Sequence, residues 1–177
     1  AAAECTRLTK ELGRIFIHPY DDPLVIAGQG TVGKEIIEQL PEVTHVFVPV
    51  GGGGLIAGVS GYIKQIAPHV IVVGVEPDDA ATLHTSFAKK ERVVLDHVGT
   101  FADGVAVRQV GKLSYGIAKH YVDYTITVSN DQLCAAIKQI FEDTRTIVEP
   151  AGALAVAGIN QFCSESPFLK DDCVVAI

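Results

Sequence analysis

Short apolar runs separate longer amphipathic segments along this chain. The runs are rich in β-branched residues, and they predict strands at residues 46–50, 70–75, 124–128 and 174–177, with two shorter ones at 15–17 and 92–95. The segments between them predict helices at residues 2–12, 28–40, 55–67, 80–89, 112–121, 130–145 and 151–160. Strands that alternate with helices of this length indicate an α/β fold with a doubly wound, mostly parallel sheet and helices on both faces.

Ligands of such sheets bind where the strands end, at the carboxyl edge. Four segments follow or end strands in this sequence, and we expect them to meet at that edge. They are the loop after Val50, Glu76 at the end of the second strand, Glu149 after a short apolar pair, and the segment that would follow Ile177.

Four consecutive glycines, 51–54, connect the strand at 46–50 to an apolar helix that begins near Leu55. A strand, a glycine loop and a helix start direct several backbone N–H groups at one point, and such a point attracts an anion. A Cβ atom here would exclude positive φ angles and keep a ligand away from the backbone. The loop contains no Lys, Arg, Ser or Thr, so the predicted site holds a phosphate through amides and the helix dipole alone. The alternatives are a flexible linker and a tight structural turn.

The hexapeptide at 28–33, GQGTVG, matches the dinucleotide-binding pattern G-x-G-x-x-G. We reject a dinucleotide site here for two reasons. The residues that precede the hexapeptide closely follow Pro23 and make a poor buried strand. The next strand ends in glycines, whereas a dinucleotide site requires an acidic residue there to bind ribose. We therefore expect these glycines to let a helix start close against the sheet.

Composition excludes several classes of function. The chain has 177 residues, 48% of them hydrophobic, which suits one domain with a sizeable core. A net charge of −7 without a basic cluster argues against nucleic acid as a partner, and the apolar runs are too short to span a membrane. The six histidines form no metal-binding pair at helical spacing. The cysteines have no C-x-x-C spacing and suit reduced intracellular thiols: Cys5, Cys134, Cys163 and Cys173.

Four segments, in order and at family spacing, resemble the threonine dehydratases: GQGT at 28–31, VPVGGGGL at 48–55, FADGVAV at 101–107 and VEPAGA at 148–153. The threonine dehydratases are fold-type II pyridoxal-phosphate enzymes, close to serine racemase and to the catabolic serine/threonine dehydratases. The resemblance covers nearly the whole chain, and the FADGVAV form looks more like the biosynthetic branch.

The resemblance implies a set of residues around the cofactor, pyridoxal 5′-phosphate. Gly104 would lie beside the cofactor and Glu149 near the active site, while the loop of Tyr20 and Asp21 would approach the cofactor ring from the other side. The phosphate would bind the loop already predicted as an anion site: Gly51, Gly52, Gly53, Gly54 and Leu55.

The resemblance also implies a cation site. Residues 76–82 match a site in serine racemase, where a Glu carboxylate, an Ala carbonyl and an Asp bind the ion. The corresponding ligands here would be Glu76 and Ala80, but Thr82 replaces the Asp. The resemblance therefore leaves open a divalent ion and a monovalent one bound through Glu76 and carbonyls. Alternatively, Glu76 is an exposed carboxylate at the end of a strand.

The Ser-x-Lys-x-Arg-Gly motif, which carries the Schiff-base lysine in this family, is absent from the sequence. The lysines present are expected to be solvated charges, and no residue is assigned a catalytic role. We therefore expect residues 1–177 to be the C-terminal part of a catalytic unit, mostly its large domain. They would lack the lysine-bearing part and the core of the small domain, and would be inactive alone.

The implied reaction of the parent protein is deamination of L-threonine to 2-oxobutanoate and ammonia in isoleucine biosynthesis. The alternatives are a serine/threonine dehydratase, a serine racemase and a non-catalytic phosphate-binding module. The partner would be a small amino acid substrate. Apolar residues without a covering domain favour association, so the parent is expected to be a homo-oligomer, a dimer or tetramer. Its expected location is the cytoplasm, or a plastid or mitochondrion in a eukaryote.

Overall fold

The computed structural model describes residues 2–177, with side chains from Glu4 onward. The helices are α1 (Ala2–Leu12), α2 (Pro23–Gln39), α3 (Gly54–Ile66), α4 (Thr82–Lys89), α5 (Lys112–Tyr121), α6 (Asn130–Thr144) and α7 (Pro150–Glu165). The strands are β1 (His45–Pro49), β2 (Ile71–Pro77), β3 (Tyr124–Val128) and β4 (Val174–Ala176). Two short 3₁₀ turns lie at Asp78–Ala80 and Asp103–Val105.

The strands form one parallel sheet in the order β3-β2-β1-β4. Val46 pairs with Val72 and with Val175, which places β1 between β2 and β4. Because all neighbours are parallel, every strand ends at the same edge of the sheet. The predicted α/β class with a parallel sheet is confirmed.

The two faces of the sheet bury separate cores. Val46 and Val48 point into a core formed with α2, α3 and α5. Phe47, between them in sequence, points into the core formed with α6 and α7, as does Val75 of β2. This alternation follows from the two-residue period of a strand, and it confirms that helices cover both faces of the sheet.

The two shortest predicted strands are wrong. Residues 15–17 and 92–95 form no ladder with any described strand. Ile15 is 92% exposed. In the second segment, the backbone N–H of Val93 donates to the Ser86 hydroxyl, and that of Leu95 donates to the Arg108 carbonyl. A β-branched run becomes a strand only when another strand lies beside it, and neither segment has such a neighbour among residues 2–177.

The hexapeptide at 28–33 lies inside α2, so the predicted helix start among its glycines is also wrong. The helix begins at Pro23, where the Asp22 carboxylate caps the amides of Leu24 and Val25. The glycines bring α2 against α3 rather than against the sheet. A Cβ atom at Gly58 of α3 would overlap the carbonyl oxygen of Ile26.

Candidate functional site

The glycine loop brings β1 directly into α3. Gly53 is the N-cap residue of α3, with φ of +87°, and no side chain caps the helix. Within the described residues, the amides of Gly51, Gly52 and Gly53 donate to no backbone acceptor. A carbonyl group holds the loop in place instead: the Gly52 carbonyl accepts the N–H of Gly111 at 2.9 Å. Free amides and an open helix N-terminus are the elements of an anion site.

At each position of the loop a close neighbour leaves room only for glycine. Only Gly53 is also restricted by its backbone angle φ. Gly53 has the positive φ, whereas a Cβ atom at Gly51 would come within 2.9 Å of Val105. A Cβ atom at Gly52 would overlap the ring of Tyr20, and one at Gly54 would lie 2.8 Å from the Tyr20 carbonyl. The expected need for positive φ therefore holds at one position out of four, and close packing explains the others.

A cavity of about 440 Å³ opens beside this loop. All residues predicted to bind the cofactor line it: Gly51, Gly52, Gly53, Gly54, Leu55, Gly104 and Glu149. Ile177 lines it too, as expected for a segment at the carboxyl edge of the sheet. The size is within the range of small-molecule sites. Their roles in binding stay a prediction.

Several cavity residues were not assigned from sequence. Gln29 and Pro19 line one side, and Val105, Val107, Ala151 and Gly152 line another. Gln29 belongs to the GQGT segment, which was the only signal that could have marked it. Its carboxamide is a neutral donor and acceptor at the cavity wall.

The electrostatics of the cavity depend on two helix starts. α7 begins at Pro150, and its N-cap residue, Glu149, forms no capping bond with its side chain. The N-termini of α3 and α7 therefore both face the cavity, since Leu55 and Ala151 line it. No lysine or arginine is among the lining residues from the described part of the chain. Positive potential at this site comes from amides and helix dipoles.

Glu76 occupies a different environment from the one expected. It is 0% exposed, so the interpretation as an exposed carboxylate is wrong, and it is absent from the cavity lining. Its Oε1 accepts the N–H of Leu83 at 2.8 Å, and its Oε2 accepts the N–H of His84 at 2.7 Å. The Thr82 hydroxyl donates to Oε1 at 3.2 Å. Burial raises the pKa of Glu76 to about 7, although these hydrogen bonds oppose the increase.

The predicted cation site at Glu76 and Ala80 stays a prediction. Both residues are buried. Among residues whose placement is described, no three His, Cys, Asp or Glu side chains cluster as metal ligands. The carboxylate of Glu76 has amide donors on both oxygens, and it serves α4 as an internal acceptor.

A larger groove of about 560 Å³ lies between α2, α3 and α5. It is lined mainly by apolar and small residues, including Ile26, Ala57 and Ile117, and by none of the loop glycines. Volume alone does not identify a site, because converging polar groups fix a ligand in place. Those groups are at the glycine loop. In residues 2–177, no helix has the length and apolar character needed to cross a bilayer.

Known proteins agree with this geometry. The mitochondrial threonine dehydratase of Saccharomyces cerevisiae is 53% identical over 167 residues, which cover 93% of this chain and 29% of that protein. The processed form of threonine deaminase isoform 2 from Solanum lycopersicum superposes with a TM-score of 0.94 at 45% identity, covering 97% of this chain and 50% of that chain. Maize serine racemase superposes with a TM-score of 0.91 at 33% identity, covering 97% and 54%.

The chain spans about three-tenths of the length of the curated relatives that it matches. The resemblance to threonine dehydratases, drawn from four short segments, is confirmed by these relatives. The family model described as pyridoxal-phosphate dependent enzyme matches residues 1–177. With the glycine loop, the parallel sheet and these matches together, the chain belongs to the family of pyridoxal-phosphate-dependent enzymes.

Proposed function

We propose that this chain supplies the cofactor-phosphate site of a threonine dehydratase. One observation carries the proposal: the N-terminus of α3 has no side-chain cap, and it opens with its glycine amides on a cavity of about 440 Å³. A helix start of this kind attracts a phosphate group. The names of the relatives supply the reaction.

The residues fit pyridoxal 5′-phosphate in kind. The amides of residues 51–55 would hold the phosphate. Gly104 lines the same cavity, and a Cβ atom there would come within 3.0 Å of Ala151 and 3.2 Å of the Glu149 carboxylate. When bound, this cofactor stores the electron pair released as the Cα–H bond of an amino acid breaks. Neutral donors hold the phosphate without a counter-cation, so its oxygens keep their ability to exchange protons.

The chain's own residues bind and orient, and none is assigned the proton transfer at Cα. Within the described residues, no lysine lines the cavity. We therefore infer that the Schiff-base lysine comes from another segment of the parent protein. On this proposal residues 1–177 are the C-terminal part of the catalytic unit, mostly its large domain, and they are inactive alone.

Two measurements on the 177-residue chain test the phosphate site. Titration with pyridoxamine 5′-phosphate, which has no aldehyde, should shift the backbone amide resonances of residues 51–55. Treatment with pyridoxal 5′-phosphate and borohydride should label no single lysine stoichiometrically. Absence of amide shifts would remove the proposed site, and one stoichiometric lysine adduct would contradict the inferred division of labour.

The reaction itself is tested on the parent protein. We expect 2-oxobutanoate and ammonia from L-threonine. The superposition on maize serine racemase favours a second candidate, a serine racemase or serine/threonine dehydratase. D-serine from L-serine, without 2-oxobutanoate from L-threonine, would select the serine racemase, whereas pyruvate from L-serine alongside 2-oxobutanoate from L-threonine would select the serine/threonine dehydratase.

Association and location follow as parts of the same proposal. Apolar side chains at the surface, including Leu24 and Ile147, favour a homo-oligomeric parent, a dimer or tetramer. The yeast relative is named as mitochondrial. The proposed location of the parent is the cytoplasm or, in a eukaryote, an organelle that makes amino acids. A monovalent or divalent cation at Glu76 and Ala80 is part of the same proposal.

A further inference from the structure

The loop that precedes α2 lies directly on the glycine loop. Tyr20 is at the centre of this contact: its ring covers Gly52 so closely that a Cβ atom there would overlap it, and its backbone lies against Gly54. Tyr20 also lines the cavity. The ring therefore forms a wall of the proposed phosphate site.

Asp21 fastens this loop to α5. Its Oδ2 accepts the N–H of Lys112 at 2.7 Å, and its Oδ1 accepts those of Leu113 at 2.8 Å and Ser114 at 3.1 Å. The Ser114 hydroxyl in turn donates to the Tyr20 carbonyl at 3.0 Å. Burial raises the pKa of Asp21, but the three amides outweigh this effect and leave the pKa below its ordinary value.

Asp22, the next residue, does the same for another helix. Its Oδ1 accepts the N–H groups of Leu24 at 2.8 Å and Val25 at 3.3 Å, at the start of α2. Two adjacent carboxylates thus cap two different helices, and only Asp21 is bonded to the element that also holds the Tyr20 carbonyl. Asp21 and Asp22 are therefore a matched pair of helix caps. Asp21 is linked through α5 to Tyr20 in the cavity wall, and Asp22 has no such link.

We propose that Asp21 is a positioning residue: by binding the first turn of α5, it holds the Tyr20 ring against Gly52 and so fixes the wall of the phosphate cavity. The predicted effect on phosphate binding rests on the proposed function. The placement of the ring can be measured without any ligand.

The test compares Asp21→Asn with Asp22→Asn in the 177-residue chain. A ring stacked on a glycine shifts its Hα resonances, so the Gly52 signals report the position of Tyr20. Asp21→Asn should lose this ring-current shift and weaken pyridoxamine 5′-phosphate binding by about tenfold, because a wall that must be ordered on binding lowers affinity. Asp22→Asn should keep the shift and change the affinity by less than about twofold.

A second variant separates positioning from folding. Tyr20→Leu keeps both caps, and it should weaken binding about as much as Asp21→Asn, with no further loss in the double variant if the carboxylate acts through the ring. An unchanged Gly52 shift in Asp21→Asn, additive losses in the double variant, or equal losses in Asp21→Asn and Asp22→Asn would each overturn the proposal. If the unsubstituted chain binds no pyridoxamine 5′-phosphate, the proposed function fails, and the ring-current comparison alone decides the role of Asp21.

Discussion

Among the helices that begin at the carboxyl edge of the sheet, α3 and α4 differ in what their N-termini bind. α3 follows β1 through glycines, has no side-chain cap and opens on the cavity. α4 follows β2 through the turn Asp78–Ala80, and its first amides bind the buried carboxylate of Glu76. The two starts offer the same amide donors and the same dipole direction.

The difference shows what turns a helix start into a ligand site. At α4 the protein supplies its own hydrogen-bond acceptor, because Glu76 lies within β2 and the chain folds back over it. At α3 the residues nearest the amides are glycines, so nothing from the described chain satisfies them. The amides at a helix N-terminus can bind a ligand only where the chain itself supplies no acceptor for them. Substitutions at either of the two N-termini test this contrast.

The largest expected effect is at the occupied start. Glu76→Ala removes the acceptor of a buried amide, at Leu83, and of a partly buried one, at His84. It should lower the free energy of unfolding by about 2–4 kcal/mol, since each unsatisfied buried donor costs about 1–3 kcal/mol. Urea unfolding near neutral pH measures it. Glu149→Ala is the control, because this exposed N-cap carboxylate makes no capping bond, and its effect should stay within about 0.5 kcal/mol. Equal effects of the two substitutions would contradict the contrast.

The pH dependence of stability should report the same buried carboxyl group. The pKa of Glu76 is raised from 4.5 to about 7 in the folded protein, so the folded state keeps its proton over a range in which the unfolded state has lost it. This contribution to stability is complete below pH 4.5 and is lost as the pH rises through 7, by at most about 3 kcal/mol. Glu76→Gln should lack this decline. Parallel curves for the two proteins would rule out Glu76 as its source.

At the open start, Gly53→Ala should cost about 1–2 kcal/mol of stability, because an L-residue is strained at a φ of +87°. The added Cβ atom would also lie 2.9 Å from Val110. Gly116→Ala, in the middle of α5 with open space around it, should stabilise the protein by about 0.5–1 kcal/mol instead. Thermal unfolding of the two variants measures these effects. A loss of stability in both variants would show that strain at the positive φ of Gly53 is not the cause.

The smallest expected effect concerns salt. A phosphate held by neutral amides in a partly enclosed cavity should lose little affinity as ionic strength rises from about 50 to about 500 mM, less than about threefold in Kd. Fluorescence titration with pyridoxamine 5′-phosphate measures this. A steep salt dependence would mean that lysine or arginine side chains bind the phosphate.

The fold was predictable where the hydrophobic pattern is clear and the element has its neighbours in place. The runs at 46–50 and 70–75 locate β1 and β2 to within two residues, and β3 and α5 agree at both ends. The run at 15–17 has the same composition, but no strand lies beside it, and sequence pattern cannot report a missing neighbour. Likewise the start of α2 depends on the Asp22 carboxylate rather than on the glycines that drew attention.

The site was predictable where backbone chemistry determines it. Four glycines between an apolar strand and an apolar helix indicate an anion site without further information. Gly104 was identified only through the family resemblance, and Glu149, which the strand pattern placed at the carboxyl edge, was assigned to the cofactor only through that resemblance. Glu76 was misplaced because its partners are amides that reach it only after the chain has turned back. The resemblance placed the loop of Asp21 near the cofactor, but the sequence did not indicate its role as an acceptor, because that role needs α5, about ninety residues away.

The close crossing of α2 and α3 has a mechanical consequence. Their backbones touch at Gly30 and Gly58 with no side chain between them, so no compressible layer can absorb a displacement. We expect a shift of α2 along its axis to displace α3, and with it the glycine turn at its N-terminus. On this view a motion of α2 is transmitted to α3. The alignment of the amides in the glycine loop then becomes sensitive to forces applied to α2, far from the loop.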